Sequence, residues 1–233
     1  MKREPWNLLA RWVLITVPLS ALLFAAAGTT HVTSIRRYLM VTSTLLLVTI
    51  LAVDTHLAKE RAHPRDGGID DGSRFVAGFL FLVTLTVAAL SVGRLRPFFN
   101  VPISIRDTAL VVFGLSTTLQ AWTMVVNPFF SPLVRIQIER RHHLVENGPY
   151  QFVRHPGYLA MSISVPASAL AIGSWIALIP ASAFVFVIRR RASLEDKFLR
   201  TNLPGYSDYA NRMAAWHKSR KEDKCQTCNT NPQ

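Results

Sequence analysis

Residues 157–188 read GYLAMSISVPASALAIGSWIALIPASAFVFVI and contain no charged side chain. A continuous helix of this length would measure about 48 Å, whereas the hydrocarbon core of a bilayer is about 30 Å thick. The segment is therefore too long for one crossing and slightly short for two. Pro166, Gly173, Ser174 and Pro180 interrupt it near the middle, which predicts two arms of about 15 residues joined by a Gly173-Ser174 turn. Both ends of such a hairpin lie on one side of a membrane, whereas one long kinked helix would place them on opposite sides.

Four further stretches without lysine or arginine precede this segment, at residues 12–28, 38–53, 75–93 and 108–134. About 20 apolar helical residues cross a bilayer, so each stretch predicts one membrane helix. The second is long enough if it extends to Ala58, and its Asp54 and His56 then lie near Lys59, at headgroup depth. The sequence thus predicts an all-α fold. We expect a polytopic membrane helix bundle with about six crossings, the last two forming a short helical hairpin, followed by C-terminal cytosolic helices.

The distribution of charge supports the hairpin. Only 17% of the 233 residues are charged, against about 25% in soluble domains, although the formal net charge is +12. With a hairpin, 21 of the 26 lysines and arginines share one side of the membrane, and the others are Arg36, Arg37, Arg94, Arg96 and Arg106. Basic loops mark the cytoplasmic side, so we expect an integral membrane protein with both termini in the cytoplasm. A single final helix would require ten basic tail residues to be translocated.

The N-terminus also imitates a cleavable signal peptide, because Lys2 and Arg3 precede an apolar stretch that ends in Ala25, Ala26 and Ala27. Five more hydrophobic segments follow it. A first membrane helix serves equally well as the insertion signal, and we favour that interpretation.

Polar motifs collect in the second half of the chain. We therefore divide it into a transmembrane anchor half, residues 1–126, with about four spans, and a second half, residues 127–233, which contains the hairpin 157–188. The second half has a turn at 147–149, where glycine tolerates positive φ and proline fixes the next φ. Just after it come a cation, an imidazole and two phenols: Tyr150, Arg154, His155 and Tyr158. Each of these alone also fits an ordinary interfacial belt.

The segment after the hairpin adds a second polar cluster. Arg191 and Glu195 are four residues apart, so on a helix they share one face and can pair with each other or converge on a ligand. If the hairpin returns to the side where it began, it brings Arg154, His155 and Tyr158 beside them. A stop-transfer group of basic residues with an ordinary helical ion pair is the alternative.

These motifs, taken together, resemble the isoprenylcysteine carboxyl methyltransferase family, which is related to the membrane phospholipid methyltransferases. The matching residues are Gly148-Pro149-Tyr150, Arg154-His155-Pro156-x-Tyr158, the Gly173-Ser174 turn, Glu195-Asp196, and Gly205-Tyr206 with Tyr209. The resemblance covers residues 127–212, and the combined order and spacing are specific. It implies a multi-span α-helical enzyme that uses S-adenosylmethionine at the cytosolic end of its last helices.

By this resemblance, the cofactor-binding residues are Tyr150, Arg154, His155, Tyr158 and Glu195. Arg191 and Glu195 are the implied catalytic residues, with Arg191 in the reaction centre. The chain departs from the family pattern at Ala160, where glycine is common, and at Asp196, where a second glutamate is common. A methyl group at 160 narrows a close backbone approach, and the shorter Asp196 side chain can point elsewhere.

The chemistry of the residues agrees with this cofactor. S-adenosylmethionine presents a sulfonium, an ammonium, a carboxylate and an adenine, so its pocket needs a carboxylate, a cation and aromatic surface together. The Gly-x-Gly-x-x-Gly signature of nucleotide-binding folds is absent from the sequence. A carboxylate acceptor is already ionised and needs only a cation such as Arg191 to orient it, whereas an amine or thiol needs Glu195 or His155 as a base. We prefer a lipid-like or small apolar acceptor that enters from the bilayer and is methylated on a carboxylate. N- or S-methylation of a phospholipid amine or a thiol is the alternative.

Other features predict less. His142 and His143 lack a carboxylate at ligand spacing, so we predict no metal site. Cys225 and Cys228 lie in a polar tail that we expect to be solvated. The basic tail would attract anionic membrane lipids, and topology explains its charge without nucleic acid. A non-catalytic membrane protein with this fold stays an alternative, whereas a transporter should carry polar groups inside several spans.

Overall fold

The structure is a computed structural model that describes residues 5–62, 72–95 and 101–213. Within these ranges the chain forms helices joined by turns and loops. The helices are α1 (Pro5–Ala27), α2 (Thr33–Ala52), α3 (Thr55–Ala62), α4 (Ser73–Leu90), α5 (Ile103–Val126), α6 (Pro156–Ile172) and α7 (Leu178–Asn202). A π-turn at Ser91–Leu95 continues α4, and 3-10 turns lie at Ile138–Arg140 and Gly148–Gln151. Residues 206–213 are helical up to the last described position and are labelled α8.

Four helical segments are long and apolar enough to cross a membrane: Leu8–Ala27, Thr33–Ala52, Ser73–Leu95 and Ile103–Val126. The shorter apolar helix α6 and the apolar first part of α7, residues 178–188, follow them. The prediction of an all-α, polytopic helical membrane bundle is therefore confirmed.

The hairpin lies where the sequence predicted it. α6 ends at Ile172, and the next residue, Gly173, has a φ of 116°, which is open to glycine and strained for other residues. The hydroxyl of Ser174 donates to the hydroxyl of Ser91 at 3.0 Å and accepts the amide of Ala177 at 3.2 Å, which fixes the turn to the end of α4. α7 then returns along α6 and packs against α4.

The two prolines do not break the segment, contrary to the sequence interpretation. Pro166 lies inside α6, and Pro180 lies in the first turn of α7. A first-turn proline loses no helical hydrogen bond, because the first amides of a helix have no partner within it. Prolines inside membrane helices are tolerated where neighbouring helices pack around them.

Two predicted span boundaries are also wrong. The second helix does not extend to Ala58: it begins earlier, at Thr33, and ends at Ala52, where Val53 takes an extended conformation. Asp54 directly precedes the separate helix α3, a position where aspartate is favoured. The stretch 108–134 is helical only to Val126, because the chain turns at Asn127, whose side-chain oxygen accepts the amide of Phe129 at 2.9 Å.

The helices alternate in direction, so the polar segments gather at one end of the bundle. At the opposite end, Arg94 donates to the carbonyl of Ala25, and Arg37 pairs with Asp107. Gly173 lies beside Arg106 at that end. The end formed by α3, residues 127–155 and the polar part of α7 carries the predicted site residues. The division at residue 126 and the cytoplasmic orientation of this end stay predictions, and Arg96, Cys225 and Cys228 lie outside the described residues.

Candidate functional site

Two cavities lie side by side at this end of the bundle. The first has a volume of about 60 Å³ and lies between residues 127–145, the start of α6, the polar part of α7 and α8. The second has a volume of about 330 Å³ and lies between α4, α6 and α7. Phe130, Ser131 and Tyr158 line both, so these three side chains form the boundary between them.

The hairpin brings the predicted cofactor residues together. Tyr150, Arg154, His155, Tyr158 and Glu195 all line the first cavity, although the last of them lies 37 residues after Tyr158. Arg191 lines the second cavity. The structure therefore separates the predicted reaction-centre arginine from the predicted cofactor residues by one shared wall.

Tyr158 and Glu195 connect the hairpin across this wall. The phenol of Tyr158 donates a hydrogen bond of 2.7 Å to the Oε2 atom of Glu195. Tyr158, which lines both cavities, thereby orients one oxygen of the Glu195 carboxylate. Among the described residues that line the first cavity, Glu195 supplies the one carboxylate.

Asp196 has a different role from Glu195, because adjacent residues on a helix point about 100° apart. Its carboxylate accepts Arg154 Nη1 at 3.0 Å, Tyr206 Oη at 2.9 Å and Arg200 Nε at 3.0 Å, and it lies 3.4 Å from His155 Nε2. The hydrogen bond from His155, with those from Arg200 and Tyr206, holds the pKa of Asp196 well below its ordinary range. Asp196 does not line the first cavity, and it orients three residues that do: Arg154, His155 and Tyr206.

Tyr150 is fixed from two sides. The side-chain amide of Asn127 donates to the Tyr150 hydroxyl at 2.7 Å, and the hydroxyl of Tyr209 donates to the Tyr150 carbonyl at 2.7 Å. Burial raises the pKa of Tyr150 well above its ordinary value and raises that of Tyr209 to about 12. Both phenols therefore stay neutral and act as hydrogen-bonding aromatic surface.

Phe129 and Phe130 form the aromatic wall of the first cavity. The ring of His142 stacks on Phe129 with centroids 4.3 Å apart. Phe130 packs directly over Gly157 at the start of α6, where a Cβ atom would lie 2.6 Å from the ring. Gly157 is therefore required for close approach of α6 to the wall between the cavities.

The second cavity is mostly apolar, with cations near its polar end. Its apolar lining includes Ala77, Phe81, Val165, Phe184 and Ile188. The guanidinium of Arg191 donates to the hydroxyl of Ser73 at 2.8 Å and to the carbonyl of Pro132 at 2.6 Å. These contacts hold Arg191 between α4 and the segment that carries Phe130.

A buried ion pair connects residues 127–135, which carry Phe130 and Ser131 and are called the wall segment, to the first half of the chain. Arg135 lies 2.8 Å from Glu60 of α3, and the two side chains are 5% and 7% exposed. Glu60 also accepts the hydroxyl of Ser131 at 3.2 Å, and Arg135 additionally pairs with Glu139. The position of Phe130 and Ser131 thus depends on α3.

Several residues of this site were not predicted from the sequence. Asn127, Phe129, Phe130, Tyr206 and Tyr209 line the first cavity, and Arg61 and Arg74 line the second. The motif Gly205-Tyr206 with Tyr209 was a usable signal for two of them. Arg61 and Arg74 had no signal, because isolated arginines beside membrane helices usually report topology alone.

The two departures from the family pattern have clear outcomes in the structure. Ala160 is fully buried within the bundle and lines neither cavity. Asp196 does point elsewhere than Glu195, towards Arg154 and Tyr206. In the described part of the chain, no group of three or more histidine, cysteine or acidic side chains is arranged to hold a metal ion.

The residues that line the first cavity match the chemical groups of a zwitterionic nucleoside such as S-adenosylmethionine. The cavity offers a carboxylate at Glu195, a cation at Arg154, and aromatic surface at Phe129, Tyr150 and Tyr206. These are the groups that an ammonium, a carboxylate and an adenine require.

Comparison with known proteins agrees with the motifs. No curated protein and no solved structure matches the chain. Residues 107–201 match the family model described as the isoprenylcysteine carboxyl methyltransferase family. The match includes most of α5, the wall segment, and the α6–α7 hairpin up to residue 201. Over these residues the chain is similar to the isoprenylcysteine carboxyl methyltransferase family, as its motifs also indicate.

Proposed function

We propose that this protein is an integral-membrane methyltransferase that transfers the methyl group of S-adenosylmethionine to a carboxylate of a lipid-like or small apolar acceptor. The family domain and the membrane-span helices support the coarser statement that it is an integral-membrane methyltransferase. The observation that carries the finer proposal is the pair of cavities that meet at Tyr158, with Glu195 on one side and Arg191 on the other.

The first cavity is the proposed cofactor site. S-adenosylmethionine, when bound, supplies an electrophilic methyl group on a positively charged sulfur. Glu195 offers negative charge to the cationic part of this ligand, and Arg154 offers a guanidinium to its carboxylate. Asp196 fixes Arg154 and His155, so these side chains lose little entropy when the cofactor binds.

The second cavity is the proposed acceptor site. Apolar residues surround a tail that enters from the bilayer, and Arg191 holds an anionic group near the shared wall. The carboxylate oxygen attacks the methyl carbon as the bond to sulfur breaks, and the electron pair of that bond returns to sulfur. The oxygen–methyl bond forms without any proton transfer, so catalysis rests on alignment at about 3 to 3.5 Å and on exclusion of water.

The charge of the second cavity favours a carboxylate over an amine acceptor. Its described lining contains Arg61, Arg74 and Arg191 and no acidic side chain. A cationic amine would be repelled there, and a base would be needed to remove its proton. The candidate base Glu195 lies in the other cavity and accepts the Tyr158 hydroxyl.

We place the site at the cytoplasmic face of the membrane, with both termini on that side. The basic residues of the sequence support this orientation, because 21 of the 26 lysines and arginines would lie on the cytoplasmic side in this arrangement. The same face gives the cofactor access from the cytoplasm and gives an amphiphile access from the inner leaflet.

A labelling experiment tests the proposal. The full chain in nanodiscs is incubated with methyl-labelled S-adenosylmethionine and a total lipid and small-molecule extract. We expect the label to enter an apolar product. Mild base should then release the label as methanol, since methyl esters hydrolyse in base and N-methyl groups do not. Glu195→Ala should abolish the label, and Glu146→Ala, at an exposed pair with Arg212, should not. A base-stable product would contradict methylation of a carboxylate.

The absence of any labelled product would contradict methyl transfer itself. A non-catalytic protein with this fold would then be the better account, and it predicts that S-adenosylmethionine does not raise the unfolding temperature of the purified chain.

A further inference from the structure

We propose that Arg61 of α3 binds a second anionic group of the acceptor, apart from the carboxylate that Arg191 holds. The acceptor is then an amphiphile whose head carries two acidic groups on one apolar tail. This inference rests on the proposed function, because it assigns the second cavity to the acceptor. It also assigns a specificity residue to the first half of the chain, outside the segment 107–201 that matches the family.

The position of Arg61 is the first observation that supports the proposal. Arg61 and Arg191 line the same cavity although they come from helices 130 residues apart in the sequence. Tyr158, which separates this cavity from the first, also lines it. The two guanidinium groups are therefore close to the wall at which methyl transfer is proposed.

The groups that contact Arg61 are the second observation that supports the proposal. Its Nη1 atom donates to the backbone carbonyl of Phe130 at 3.2 Å, and its guanidinium carbon lies 5.1 Å from the centroid of the Phe130 ring. Both are neutral groups, and the residues that the structure describes place no carboxylate against this guanidinium. A guanidinium has five N–H donors, so one carbonyl satisfies only part of it.

The cost of this arrangement points to an anionic ligand. Arg61 is partly buried, and burial lowers the pKa of its guanidinium below the ordinary value. A cation withdrawn from water is costly unless an anion or several acceptors compensate it. The contrast with Arg135 is informative, since that guanidinium is buried against the carboxylates of Glu60 and Glu139. The charge of Arg135 is compensated by carboxylates of the protein itself, whereas Arg61 faces the second cavity.

One carboxylate does not account for both arginines. A single guanidinium already binds a carboxylate in a bidentate manner. Arg191 is fixed by Ser73 and Pro132, whereas Arg61 is fixed by Phe130, so each is held by separate groups at its own place. Arg61 and Arg191, two of the three arginines that line this mostly apolar cavity, match two acidic groups on one head.

A pair of synthetic amphiphiles tests the inference. Tetradecanoate carries one carboxylate, and dodecylsuccinate carries a second on a short side arm of a comparable chain. Their affinities for the full chain in uncharged nanodiscs are measured by calorimetry, above the pKa of both carboxyl groups. We expect the wild-type protein to bind dodecylsuccinate about tenfold more tightly, as one charged hydrogen-bonded contact provides. Equal affinities would overturn the inference.

Variants assign the preference to one residue. Arg61→Gln should reduce the preference for dodecylsuccinate to within about twofold and leave tetradecanoate binding nearly unchanged. Arg94→Gln is the matched control, because Arg94 also donates to a backbone carbonyl 69 residues away but lies at the opposite end of the bundle. An Arg61→Gln variant that keeps the full preference would overturn the inference. If that variant does not fold, Arg61→Lys decides, since loss of the planar fork should weaken the preference and an unchanged preference would overturn the assignment.

The same experiment separates this inference from the proposed function. Label from S-adenosylmethionine that enters both amphiphiles without any difference in their affinities would leave the methyltransferase proposal standing and would end this one. A preference that depends on Arg61, with no methyl transfer to either probe, would support the binding site and contradict the enzyme.

Discussion

Asp196 is the residue on which the geometry of the proposed cofactor site depends most. It accepts hydrogen bonds from Arg154, Arg200 and Tyr206 and lies within reach of His155, while Glu195 faces the cavity. An uncharged amide at 196 keeps the shape and loses the charge that aligns these groups. The variant Asp196→Asn should therefore weaken S-adenosylmethionine binding about ten- to a hundredfold, measured by calorimetry in detergent.

The control for this variant is Asp208→Asn, which changes an exposed carboxylate on α8. It should bind the cofactor as the wild type does. Equal affinity in Asp196→Asn and the wild type would show that Arg154 and His155 do not need this carboxylate.

The partly buried His142 should make the stability of the protein depend on pH. Burial, followed by the nearby charges of His143 and Arg135, lowers the pKa of His142 to about 4. The unfolded chain, with an ordinary histidine pKa of about 6.5, binds the proton first on acidification, so stability falls between about pH 6.5 and 4. Allowing for its partial exposure, the loss should be about 1 to 2 kcal/mol.

Thermal unfolding in neutral detergent across this range measures the effect. His142→Asn should flatten the decline, and His31→Asn, at an exposed histidine, should not. A decline of the same size in all three proteins would assign the pH dependence to other groups.

At the scale of the elements, the fit of α6 against the wall segment depends on Gly157. A Cβ atom there would lie 2.6 Å from two ring atoms of Phe130, which lines both cavities. Gly157→Ala should therefore lower the free energy of unfolding by about 1 to 3 kcal/mol through overpacking, and it should weaken cofactor binding.

Gly114→Ala on α5 is the matched control, since its nearest atom would be Val41 Cγ1 at 4.0 Å. It should be neutral or slightly stabilising, because alanine is the better helix former. Thermal unfolding of both variants, with and without cofactor, separates the two cases. A Gly157→Ala protein as stable as Gly114→Ala would show that Phe130 moves aside at no cost.

The elements also show which parts of the fold the sequence predicts. The hairpin was predictable because its turn depends on local residues, with Gly173 at a φ that favours glycine and Ser174 bonded within the turn. The end of α2 at Ala52 was missed because the stretch without lysine or arginine continues to Ala58, while the break is made by the extended Val53. Hydropathy reports how readily a segment partitions into lipid, and it does not detect a change of backbone conformation within that segment.

The site divides in the same way. Tyr150, Arg154, His155, Tyr158 and Glu195 could be grouped in advance, because one hairpin places both of its ends together. Their assignment to the cofactor stays a prediction. The cations at Arg61 and Arg135 could not be assigned, since their partners come from segments about 70 residues away. Pairing at that separation depends on tertiary packing, which no local pattern encodes.

At the scale of the whole molecule, Glu60 and Arg135 join the first half of the chain to the wall segment. Both side chains are buried, so removing one charge leaves the other poorly compensated. Glu60→Gln should cost about 3 kcal/mol of unfolding free energy, because broken buried pairs are costly. Asp107→Asn breaks the exposed Arg37–Asp107 pair, whose side chains are 43% and 49% exposed, and should cost less than about 1 kcal/mol.

Denaturant or thermal unfolding of the two variants in the same detergent makes the comparison. Similar small losses would show that α3 does not hold the wall segment in place.

The central claim is that two segments far apart in sequence, around Arg154 and around Glu195, meet to bind one S-adenosylmethionine molecule. Calorimetric titration of S-adenosylmethionine into the full-length protein in neutral detergent tests this most directly. We predict saturable binding by the wild type and by Glu146→Ala, whose carboxylate pairs with Arg212 outside the cavity. Binding should be lost in Arg154→Ala and in Glu195→Ala. Wild-type affinity in both of those variants would contradict the account.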